Sequence, residues 1–115
     1  MRAAIVVLLG AAGCLTASVL QEAAQKAGSM RNPFEGSEQD RRAGARLFAR
    51  ECASCHGKDR QGLGKAPPLN RDEVRHAPPG VIFWVLENGS LRHGMPSFAS
   101  LPAPQRWQII TFLQH

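Results

Sequence analysis

The chain of 115 residues has no tyrosine, and aromatic residues make up only 6% of it. Its 3 cysteines are too few for the disulfide framework that small secreted domains use in place of a large core. No apolar run is long enough to span a bilayer comfortably, which excludes a polytopic membrane protein. Acidic residues are the minority, 9 against 14 Lys and Arg, for a formal charge of +5, so a disordered acidic tail is excluded as well. The basic excess does not point to nucleic acid. The arginines are scattered, and no stripe of aromatic and basic residues accompanies them. The length allows one domain at most. A chain this short buries a thin core, and a bound cofactor is a natural way to thicken it.

The N-terminus does carry a pattern. Met1 and Arg2 make a short positive start, and residues 3–12 are an unbroken small and apolar run of export-signal length. Two endings compete for it. Ala11-Ala12-Gly13-Cys14 resembles the lipobox that ends in a lipid-modified cysteine, which would end the signal before Cys14. Ordinary cleavage after Ser18 would give a signal peptide over 1–18. A retained anchor is the third reading. The expectation is an exported, periplasmic protein, tethered to the membrane if Cys14 is lipidated. Residues 19–37 are small and polar, with turn chemistry from Arg31 to Gly36, and read as a flexible tether. The domain is expected over 38–115.

Cys52-Ala53-Ser54-Cys55-His56 is the motif with the most specific chemistry. Two thiols three apart can add across the two vinyl groups of a haem, and the adjacent His then comes up under the iron. A redox Cys-x-x-Cys would follow a strand, whereas the residues upstream have helical apolar spacing. A zinc site would want a second Cys/His pair, and no Cys follows Cys55. A disulfide between residues three apart is rare and strained. The motif therefore predicts one covalently attached haem c, held by Cys52 and Cys55, with His56 as its first axial ligand.

The flanks read as helices. Ser37-Glu38-Gln39-Asp40 can start one, and Ala43, Gly44, Leu47, Phe48 and Cys52 make its apolar stripe. Gly44 inside this helix predicts the close approach of another. Residues 57–69 are too rich in Gly and Pro for regular structure. Pro79 to Glu87 reads as a short helix stopped by Asn88-Gly89, apolar nearly all round, as for burial against a large apolar partner. A last helix opens at Ser100 or Leu101-Pro102 and carries Trp107, Ile110 and Leu113 as its stripe, flanked by Ile109 and Phe112. For the second axial position the candidates are Met95, His93, His76 and Met30. Met95 lies between Gly94 and Pro96, residues that shape a held, extended loop. It is preferred over His93 and over an open iron.

Residues from about Asp40 to Gln114 resemble a single-haem c-type cytochrome of the small, all-helical, class I-like kind. Gly44-x-x-x-Phe48 resembles that family's first helix face, and Cys52-Ala-Ser-Cys55-His56 matches its attachment motif. Gly94-Met95-Pro96 matches its axial-ligand loop. Pro67-Pro68-Leu69 resembles its Pro-x-Leu segment. The resemblance implies an all-α fold of about four short helices wrapped around one covalent haem, with the last helix crossing the first near Gly44 and Phe48. It also implies that the Pro67 carbonyl accepts a hydrogen bond from the second ring nitrogen of His56. Filled His56/Met95 ligation implies a one-electron carrier, not an enzyme, alone or as a subunit of an oxidoreductase. Its partners would be a periplasmic dehydrogenase, an oxidase or another cytochrome. Lys58, Arg60, Lys65 and Arg92 are the cations expected to ring the exposed haem edge. A haem enzyme or gas sensor with an open distal site is the alternative.

Overall fold

A computed structural model describes residues 25–115. The signal-peptide, Cys14 and cleavage-site expectations lie outside the described residues. Ser37 caps α2 (Glu38–Glu51) by accepting the Asp40 N–H at 3.2 Å. Glu38 and Asp40 in the first turn and Arg50 in the last suit the helix dipole. Gly44, Leu47 and Phe48 are its buried face, the stripe that the spacing predicts. One further turn, α3 (Ala53–His56), follows directly.

The last helix, α6 (Ala103–Gln114), begins after Pro102 and crosses α2 at Gly44. A β-carbon built on Gly44 would stand 1.8 Å from the Gln108 carbonyl oxygen and 3.0 Å from Phe112 Cβ. The absence of a side chain therefore sets the depth of this crossing. Phe48 and Phe112 meet beside it with ring centroids 5.5 Å apart, and Gln108 Nε2 donates to the Asp40 carboxylate at 2.9 Å.

α5 (Pro79–Asn88) stops at Gly89, whose N–H closes onto the Val85 carbonyl at 2.7 Å. It buries Gly80, Phe83 and Leu86, and Phe83 stacks on Trp107 of α6 at 4.1 Å and 18°. The all-round apolar character of α5 does not become all-round burial: Val81 is 39% exposed and Trp84 48%. Conversely, α6 buries more than its predicted stripe. Arg106, Ile109 and Thr111 join Trp107, Ile110 and Leu113, because α2, α4 and α5 all pack on it. α4 (Asp72–His76) has no sequence signal of its own, and only Val74 is half-buried. Gln114 Nε2 of α6 ties its end down by donating to the carbonyls of Val74 at 3.0 Å and Ala77 at 2.7 Å. Among the described residues there is no strand, only the isolated bridges Leu63–Ala66 and Ser90–Met95. The all-α expectation stands, with α4 and the N-terminal turn as additions.

The stretch read as a flexible tether is described from residue 25, and there it is docked. Residues 25–29 form the helical turn α1, and Ala27 is buried against α5, with its carbonyl over Gly80. Asn32 is also buried and donates through Nδ2 to Thr111 Oγ1 at 2.8 Å and to the Trp107 carbonyl at 3.3 Å. Asn32 is thus the polar side chain of this stretch that is spent on α6, while Gln25, Lys26, Ser29, Arg31 and Glu35 stay exposed. Asn32→Ala removes the donor shared by Thr111 Oγ1 and the Trp107 carbonyl, which remain bonded to each other at 3.1 Å, and is expected to cost about 1 kcal/mol, read as a lower urea midpoint with an unchanged slope.

Candidate functional site

Cys52 both ends α2, through its N–H on the Phe48 carbonyl at 2.8 Å, and starts α3. Its carbonyl accepts from Cys55 N–H at 3.2 Å and His56 N–H at 2.9 Å. The five motif residues therefore form one helical turn. Both cysteines are free; Cys52 is buried among the core side chains and Cys55 is exposed. One thiol thus faces the interior and the other lies at the rim. Burial, with the nearby Glu51 and Cys55, pushes the Cys52 thiol up to about 11, so it is the neutral SH at pH 7. A redox Cys-x-x-Cys needs the opposite shift. Nor do the described residues gather three or more His, Cys, Asp or Glu for a metal ion, which speaks against the zinc reading.

After His56 the chain doubles back. Gly62 N–H donates to the His56 carbonyl at 2.7 Å, and Leu69 N–H to the Arg60 carbonyl at 2.8 Å. This closure brings the Pro67 carbonyl to 2.9 Å from His56 Nδ1. A carbonyl can only accept, so Nδ1 carries the proton and Nε2 keeps its lone pair. That is the arrangement of a metal-ligating imidazole, and the bond fixes the orientation of its ring.

Met95 sits on a closed loop. Ser90 N–H donates to the Met95 carbonyl at 2.9 Å, and Met95 N–H returns to the Ser90 carbonyl at 3.0 Å. Between them lies a 3₁₀ turn (Leu91–His93) ended by Gly94 in the left-handed region at φ 80°. Gly89, at φ 70°, leaves room where a β-carbon would meet Pro96, Ser97 and the Met95 carbonyl at 2.7–2.8 Å. Phe98 N–H donates to the Leu86 carbonyl at 2.7 Å, pinning the loop to the end of α5. Met95 is half-buried and packs on the core.

The competing ligands are placed differently. His93 is exposed and hydrogen-bonded to Ser90 Oγ through Nδ1 at 2.7 Å. His76 is exposed and bound to its own helix at the Asp72 carbonyl, and Met30 is 42% exposed. Of the cations expected at the rim, Lys58, Lys65 and Arg92 are exposed. Arg60 is not free: it is half-buried, with its guanidinium 4.8 Å from the Phe112 ring centroid.

These residues fit a covalent haem by their chemistry. Two unpaired thiols stand one turn apart beside an imidazole of the right tautomer. The comparisons agree. Residues 39–113 match the family described as cytochrome C oxidase, cbb3-type, subunit III. No curated protein and no solved structure matches the chain.

Proposed function

The chain belongs to the cytochrome C oxidase, cbb3-type, subunit III family and so has a c-type cytochrome domain for haem-based electron transfer; from that premise we propose a one-electron carrier with a single His56/Met95-ligated haem c, working in the periplasm between a dehydrogenase and a terminal acceptor. When bound, haem c supplies a reversible ferric/ferrous couple. Cys52, which is buried, and Cys55, which is exposed, would hold it through thioethers. His56 offers Nε2 to the iron, its ring fixed by the Pro67 carbonyl. Met95 would supply the second ligand through its sulfur, from a loop whose ends, Ser90 and Met95, are joined by two backbone hydrogen bonds.

That closed loop is the observation that carries the carrier reading over an open-site enzyme. A thioether held by backbone bonds would complete the ligation, favour ferrous iron and leave no open position for oxygen or substrate. One electron enters and one leaves with no bond made or broken. The core residues around Cys52 exclude water, while Lys58, Lys65 and Arg92 present positive charge to an acidic partner protein. A lipid on Cys14 would hold the domain at the membrane surface, with residues 15–24 between the anchor and α1.

Met95→Ala tests the ligation. The oxidised native protein is expected to show a sulfur-to-iron charge-transfer band that the variant lacks. The native ferrous form is expected to resist carbon monoxide, and the variant to bind it. A band that survives the substitution would assign the second ligand elsewhere, and ready carbon monoxide binding by the native protein would favour the enzyme or gas-sensor reading.

A further inference from the structure

Arg60 is the one non-glycine residue with positive φ among the described residues, at 61°. Glycine adopts that conformation without a steric penalty and an L side chain does not. An arginine therefore stands where the backbone disfavours it, inside the loop that joins His56 to Pro67. Its main chain bonds in both directions. The N–H donates to the Gly57 carbonyl at 3.1 Å, and the carbonyl accepts from Leu69 N–H at 2.8 Å. Those two bonds bracket the contact between His56 Nδ1 and the Pro67 carbonyl.

The side chain leaves the loop. Its guanidinium lies 4.8 Å from the centroid of the Phe112 ring, within cation–π distance. Phe112 belongs to the α2–α6 crossing, against Phe48 and over Gly44. Arg60 thus ties the loop, whose Leu69 also packs on the core, to the α2–α6 crossing.

We propose that Arg60 is a positioning residue: by anchoring the loop to Phe112 it holds the Pro67 carbonyl on His56 Nδ1–H and so sets how strongly the imidazole donates to iron. This rests on the reading of His56 as an axial ligand. Loosening the loop weakens the hydrogen bond, makes the imidazole a poorer donor, and favours ferrous over ferric iron.

The test uses the ferrous holoprotein and follows exchange of the His56 Nδ1 proton by nitrogen-15 NMR, together with the reduction potential. In Arg60→Gln and in Phe112→Leu the proton is expected to exchange roughly tenfold faster, and the potential to move positive. The double variant is expected to go little beyond either single one, because both remove the same contact. Arg60→Gly relieves the backbone while losing the cation, so it is expected to stay folded and still show the fast exchange. Arg60→Lys keeps a cation over the ring and is expected to stay near the native rate. Native exchange and potential in both Arg60→Gln and Arg60→Gly would overturn the proposal and leave His56 as the ligand. A native protein with no haem-shifted His56 ring N–H signal would overturn the ligand reading and the proposal with it.

Discussion

Gly44→Ala is expected to destabilise the domain by about 3 kcal/mol or more, at the upper end of overpacking costs, although the change raises helix propensity by about 1 kcal/mol. The new methyl would stand 1.8 Å from the Gln108 carbonyl oxygen. That atom belongs to helix backbone, so relief requires α6 to move as a unit. Movement there separates Phe48 from Phe112 and Gln108 from Asp40, and it disturbs the burial of Ile109 and Ile110, which are 1% and 0% exposed. Against a total stability of about 5–15 kcal/mol, the loss is large. Gly80→Ala is the control. Its β-carbon would stand 1.5 Å from the Ala27 carbonyl oxygen, but Ala27 lies in the N-terminal stretch, which can lift off α5 without disturbing the α2–α6 crossing. A smaller loss is expected there. Guanidinium unfolding of both variants checks the order, and a Gly44→Ala protein as stable as the native one would show that the crossing is loose.

The second large effect belongs to the two thiols. With Cys52 and Cys55 both changed to alanine, His56 and Met95 remain but no covalent bond holds the cofactor. All of the haem is expected to leave the chain on denaturation, while the native protein keeps all of it. Each single variant retains one thioether and is expected to keep its haem. Their stabilities are expected to differ, because Cys52 is 7% exposed within the core and its truncation leaves a space that Cys55→Ala does not. The double variant without haem is expected to lose helical signal, because a chain this short buries only a thin core.

How much of this was legible in the sequence depended on how far apart the interacting residues are. The apolar stripe of α2, the stop at Gly89 and the turn through Cys52, Cys55 and His56 are local patterns, and they read directly. The close approach at Gly44 was legible because a glycine inside a good helix asks for a neighbour. The bond between His56 and Pro67 was available only through the resemblance to c-type cytochromes, since nothing in a Gly- and Pro-rich loop fixes where it closes. Asn32 meets Thr111 across most of the domain, and no local signal separates it from a linker asparagine. Arg106 carries no local signal of burial, yet it is buried over Phe83 at 4.5 Å and stands 3.7 Å from the Glu87 carboxylate, because three elements cover α6. Arg60 was placed with the rim cations on charge alone; its contact with Phe112 follows from a backbone conformation that arginine rarely takes.

A haem joined to the chain by two thioethers underlies each of these outcomes. The mass of the denatured protein, purified from cells able to mature c-type cytochromes, tests it most directly. The expected mass is that of the processed chain plus one haem, with the same spectrum reporting the N-terminal cut and any acyl chains on Cys14. A mass equal to the polypeptide alone would contradict it.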